Sequence, residues 1–181
     1  LGHSITQDDV FGQSGLSPLE GRGCYTRELV KAIANLGFQP GRVWFTVNAL
    51  KKDRELQKLF NEMLSDLHKG VPSIVCTRFD ESPQTTEHFR LVVGYDQKKD
   101  QLIYHDPALD NGHRLQMSRK RFFSLWPLMY SALRWTVIRM ALRGKNIIVP
   151  PKAKSHSAAD FAQHMMETKK LIPKGFHTVL Q

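Results

Sequence analysis

The stretch Glu87-His88-Phe89-Arg90-Leu91-Val92-Val93-Gly94-Tyr95-Asp96, followed by Gln101-Leu102-Ile103-Tyr104-His105-Asp106-Pro107-Ala108, carries the most specific signal in the chain. Phe89 to Tyr95 and Gln101 to His105 are rich in β-branched and aromatic residues, which suit a half-buried pleated surface. Asp96-Gln97-Lys98-Lys99-Asp100 between them is polar and turn-like. The segment therefore predicts an antiparallel hairpin. With Asp96–Asp100 as its loop, Tyr95 stands opposite Gln101 and Arg90 opposite Asp106. His88 is then the diagonal neighbour of Asp106 on the same face. Diagonal neighbours lie about 7–8 Å apart at Cα, within reach of a His–carboxylate hydrogen bond. A carboxylate on one imidazole nitrogen fixes the tautomer and orientation of the ring, and the other nitrogen is free to act as a base. Against this stands a plainer reading: a His and an Asp on a hairpin are usually surface residues, and Asp-Pro favours turns.

Working outward, Ser73 to Arg78 reads as a further strand and Leu133 to Leu142 as a last one. Helices are expected ahead of them. Thr6 caps a short one with Asp8 and Asp9 in its first turn. A second runs from about Thr26 to Leu36, with Leu29, Ile33 and Leu36 on one face and Gly37 as terminator. Val43 to Val47 looks like a strand. A longer helix runs from about Asp53 to His68, with Leu56, Leu59, Phe60, Met63, Leu64 and Leu67 at helical spacing. Ser118 caps a short helix through Phe122, Phe123 and Leu125. Helices first and antiparallel strands afterwards imply an α+β domain. The expected division is a domain over 1–144 and, over 145–181, a linker with a basic helical extension, opened by Val149-Pro150-Pro151.

The 181 residues are 41% apolar and 24% charged, which is ordinary globular usage and argues against wholesale disorder. The net charge of +9 raises the question of a nucleic-acid partner. Its distribution answers against one. Residues 1–50 hold four basic and four acidic side chains, residues 51–112 nine and eleven, and residues 113–181 thirteen and two. The excess belongs to the last third, where no nucleic-acid motif is found. An acidic partner for residues 113–181 is the alternative use of that charge. No apolar run is long enough to span a bilayer, so no membrane span is expected. No cofactor is expected. The eight histidines contain no H-x-x-x-H pair, and no metal site is assigned. The two cysteines, Cys24 and Cys76, cannot form a disulfide framework. Cys76 lies in an apolar strand and reads as a buried small hydrophobe. Cys24 follows Gly21-Arg22-Gly23 at the front of a helix, where partial positive charge and Arg22 would favour a thiolate.

The hairpin motifs resemble those of the double-glycine, bacteriocin-processing cysteine peptidases and their stand-alone relatives. That bacterial family has the papain-like fold. Its "H-F-x-V-x-x-G-x-D" strand is similar to the segment from His88 to Asp96, and its "D-P-A" to Asp106-Pro107-Ala108. Gly70-Val71-Pro72-Ser73-Ile74-Val75 resembles its "G-x-P-x-I-V" segment, Ser118 to Trp126 its "S-x-x-x-F-x-x-x-W" helix, and Cys24 to Phe38 its second helix, which ends in "L-G-F". The likeness runs over about residues 1–142. It implies His88 as catalytic base, Asp106 as its orienting carboxylate, and a peptide or protein substrate. In the family the nucleophile is a Cys in "C-G-P-A", with an oxyanion-hole Gln before it, ahead of a "L-G-x-x-x-T-Q" segment. Leu1-Gly2-His3-Ser4-Ile5-Thr6-Gln7 matches that segment, so the nucleophile is expected upstream of Leu1. Three alternatives stay open: a piece of a complete enzyme, a nucleophile segment that this sequence lacks but the protein has, or a degenerate module that binds peptides without cleaving them. Cys24 is the alternative nucleophile, although the resemblance places it on a helix where none belongs. The compartment stays open.

Overall fold

A computed structural model describes residues 5–17, 19, 22–144 and 147. The chain divides into Leu1–Val149 and Pro150–Gln181, and the second unit lies outside the described residues. So does the helical extension expected over 145–181, apart from Ile147.

The described part is α+β. Four helices run α1 (Gln7–Ser14), α2 (Thr26–Asn35), α3 (Lys52–His68) and α4 (Arg119–Leu125). Six strands run β1 (Trp44–Asn48), β2 (Ser73–Arg78), β3 (Glu87–Asp96), β4 (Gln101–His105), β5 (Leu115–Ser118) and β6 (Arg134–Ala141). They form one antiparallel sheet in the order β1-β6-β2-β3-β4-β5. Within residues 5–144 the expected helices and strands are all present. Beyond the expected elements the fold has β5, a four-residue edge strand, and a 3-10 turn over Ala49–Lys51.

Local chemistry fixes the ends of these elements. Thr6 and Asp9 form a reciprocal capping box at α1: the Thr6 hydroxyl accepts from the Asp9 N–H at 3.1 Å, and the Asp9 carboxylate accepts from the Thr6 N–H at 2.7 Å. Ser118 caps α4 through the Arg121 N–H at 3.2 Å.

Each sheet face has its own core. On one, α3 buries Leu56, Phe60 and Met63 against Val75, Val92, Leu102, Phe122 and Trp126. The helical period predicted for α3 is what delivers those three side chains. On the other, α2 packs Leu29 and Ile33 against Cys76, Ile138 and Met140. Alternation along β2 and β3 sorts their residues: Val75, Thr77, His88, Arg90 and Val92 take the α3 face, while Cys76, Phe89 and Leu91 take the other.

The hairpin departs from its expected register at one end only. Asp96, not Tyr95, pairs with Gln101. The pairing shifts by one residue between Val92 and Gly94, and by Leu91 opposite His105 it has returned to the expected frame. This bulge puts Val92 and Tyr95 on the same face, where strict alternation would separate them. It also carries Arg90 to the position facing Asp106.

Candidate active site

The two residues singled out by the hairpin meet. His88, the second residue of β3, and Asp106, the first residue after β4, come together with Nε2 2.6 Å from Oδ1. An ionised carboxylate only accepts, so the Nε2–H donates and Nδ1 of the neutral ring holds the lone pair. The His88 side chain is largely buried, with 15% exposed, and that of Asp106 is almost fully buried. Among the described residues no hydrogen bond occupies Nδ1. The edge of the Phe79 ring lies against the imidazole, with centroids 5.2 Å apart and planes at 82°.

Asp106 is held from several sides. Its Oδ1 also accepts from the Ala108 N–H at 3.1 Å, the Asx arrangement that the Asp-Pro turn suggested. Its Oδ2 accepts from Arg90 Nε at 3.1 Å. Its backbone N–H donates to the Gly112 carbonyl at 2.8 Å, which closes the loop. That loop has no room for a side chain at Gly112, where a Cβ would sit 1.9 Å from the Asp106 carbonyl oxygen. Burial opposes charge on the carboxyl. The His88 ring, the Ala108 N–H and the Arg90 guanidinium together outweigh it and hold Asp106 below the usual carboxylate range.

Arg90 is the residue whose part the sequence reading left undeveloped. It is buried on the α3 face. Its Nη1 donates to the Thr77 hydroxyl and to the Arg78 carbonyl, the latter at 3.0 Å, and its Nη2 donates to the Phe79 carbonyl at 2.7 Å. A signal was available: an arginine at an inward position between His88 and Val92 requires a buried anion.

Neither cysteine joins the pair by a hydrogen bond among the described residues. Cys76 is buried on the opposite face, with Sγ 3.8 Å from the Glu87 carboxylate. Burial and then the Glu87 charge push its thiol up to about 12, so it is inert as a nucleophile. Cys24 stands two residues before α2, half-buried against the α2 core. The Arg22 charge expected to favour its thiolate is engaged by Glu28 in a two-pronged pair at 2.8 and 2.7 Å. That pair, with the Tyr25 N–H, lowers Glu28 to about 2.

Other polar and aromatic side chains near the hairpin serve packing and pairing. His105 faces away from Asp106's partners and meets the edge of His113, ring centroids 6.0 Å apart. Trp126 is core, stacked on Phe122. In the basic run 119–121, the Arg119 Nε donates to the Asp100 carboxylate at 3.1 Å. Among the described residues no cluster of three or more His, Cys, Asp or Glu is placed to hold a metal, and no helix is long and apolar enough to cross a membrane.

The ordered His–carboxylate pair thus stands at the open end of the β3–β4 hairpin. The model of the Peptidase_C39 like family matches residues 22–133, more than half of the chain, and the chain belongs to that family. The matched span contains His88, Asp106 and Arg90. No curated protein matches the chain.

Proposed function

We propose that the domain has the papain-like fold and serves cysteine-peptidase chemistry on a peptide or protein substrate, with His88 as the base and Asp106 as its orienting carboxylate. The observation that carries this reading is the 2.6 Å contact from His88 Nε2 to a buried, multiply held Asp106. It leaves Nδ1 as the proton acceptor. In the reaction, the thiol gives its proton to Nδ1 and the thiolate attacks the substrate carbonyl. The tetrahedral intermediate collapses as His88 returns the proton to the leaving amine. Water, deprotonated by the same nitrogen, then releases the acyl group from sulfur. Asp106 stabilises the imidazolium in both halves and keeps Nδ1 aimed at the reacting atoms.

In this reading the thiol belongs to the family's Cys-Gly-Pro helix start, and the oxyanion is met by the Gln that precedes that motif in the family. Small residues before the cut follow from the same resemblance. The rival reading is a module that holds peptides without cleaving them. It draws on the absence of a cysteine bonded to His88 among the described residues. Expression from a start that includes the coding sequence ahead of Leu1 separates the two. Hydrolysis of a double-glycine peptide, abolished by His88→Ala and by loss of the upstream Cys, is the expected result. A gene without that Cys, with peptide binding but no turnover, overturns the peptidase and establishes the binding module.

A further inference from the structure

The geometry points to Arg90 as a positioning residue of the His88–Asp106 pair: one guanidinium sets the orientation of the carboxylate and also fixes the backbone that places Phe79 against the imidazole. As a role in catalysis this rests on the peptidase reading. As a statement about what orients His88 it does not.

Arg90 has five N–H groups in a rigid planar fork. Four of them are used, by acceptors from three places in the fold: Asp106 Oδ2 after β4, the Thr77 hydroxyl in β2, and the Arg78 and Phe79 carbonyls at and just beyond the end of β2. Its side chain is 7% exposed, so water does not substitute for these partners.

The consequence for Asp106 follows from its torsional freedom. The terminal torsion of a carboxylate is soft and nearly two-fold, so packing alone does not say which oxygen meets which donor. Arg90 claims Oδ2 from one side. Oδ1 is then turned toward His88 Nε2 and the Ala108 N–H. The consequence for Phe79 follows from its carbonyl. That oxygen is bound by Arg90 Nη2, and the ring of the same residue meets His88 edge-on. The Arg90 guanidinium carbon itself lies 5.7 Å from the Phe79 ring centroid. The side chain thus ties the carboxylate on one side of the imidazole to the aromatic on another.

A lysine cannot reproduce this. Its ammonium is a compact point charge and does not span coplanar acceptors. Charge alone would therefore restore attraction to Asp106 without restoring the clamp.

The test is proton NMR of the chain itself, which needs no turnover. A His88 Hε2 held by Asp106 gives a downfield, slowly exchanging signal; Asp106→Asn identifies it by abolishing it. Arg90→Met and Arg90→Lys are expected to lose or broaden that signal in protein that circular dichroism shows to be folded. Thr77→Val removes one far anchor with little change of volume, and is expected to accelerate exchange of the same proton. It keeps the inference falsifiable if the Arg90 variants do not fold. Retention of the wild-type signal and exchange rate in Arg90→Lys or in Thr77→Val overturns the clamp. Absence of peptide hydrolysis, with the signal behaving as expected, removes the peptidase reading and leaves the clamp standing.

Discussion

Asp66 offers the sharpest test of how the fold handles charge. It sits near the C-terminal end of α3, 7% exposed, and its Oδ2 accepts from Arg139 Nη2 and from Arg143 Nη2, the latter at 2.6 Å. The two arginines are not equivalent. Arg139, on β6, is 5% exposed and donates its Nε to the Ser73 hydroxyl at 3.0 Å. Arg143 keeps nearly half of its side chain in solvent. Asp66→Asn keeps the volume but removes the only negative charge bonded to Arg139 among the described residues. Breaking a buried pair from one side costs about 3–5 kcal/mol, because the surviving ion has been desolvated without a counter-charge. An exposed pair is worth about 0–1 kcal/mol. Asp66→Asn should therefore cost about 3–4 kcal/mol and Arg143→Met about 1 kcal/mol or less. For a domain of this size the first corresponds to a fall of about 10 °C in Tm. Urea unfolding followed by circular dichroism reads both, with the slope expected to stay constant. The double variant Asp66→Leu/Arg139→Met should lie closer to wild type than Asp66→Asn, since it strands no buried charge and Arg143 is half in solvent. Equal costs for Asp66→Asn and Arg143→Met would refute the reasoning.

Gly112→Ala drives a methyl into the Asp106 carbonyl. It should cost about 3 kcal/mol by thermal melting, and a neutral outcome would mean the loop yields freely. The Asp106 carboxyl is held below its unfolded value of 3.8. Its contribution to stability is therefore present above that value and is lost as pH falls through the folded one. Denaturation curves between about pH 5 and pH 2 should be flatter for Asp106→Asn than for wild type; parallel curves would contradict the assignment. In native protein at pH 8, iodoacetamide should label Cys24 and spare Cys76, whose thiol is pushed up to about 12. Both should label in urea, and fast native labelling of Cys76 counts against its burial.

The α3 core and the His88–Asp106 meeting were legible because each rests on a period. Apolar spacing fixed the helix face, and alternation fixed which side of the hairpin each residue takes. The turn frame was off by one because a bulge leaves the strand composition unchanged. Its trace was Gly94 inside an apolar run, a residue that often marks such a site. Leu115–Ser118 was missed for a different reason: four residues at a sheet edge are too few to show alternation. The charge pattern was legible in count but not in use. Arg119 and Arg139, from the basic last third, meet Asp100 and Asp66 from the acidic middle. Part of that imbalance is thus settled inside the domain by contacts far apart in sequence, which no local window can see.

The position of β6 has a consequence for how the domain comes together. It is the last strand among the described residues, yet it lies between β1 and β2, pairing Trp44–Asn48 on one side and Ser73–Cys76 on the other. During synthesis the segment with α1, α2 and β1 and the four-strand meander of β2 to β5 wait as two halves without a shared sheet. Residues 134–141 must arrive before they are joined, and they bring Arg139 to Asp66 at the same moment. Such late, long-range closure is slow relative to local pairing. A nascent chain stalled before residue 134 would leave uncovered the two strand edges that β6 pairs, a state open to mispairing.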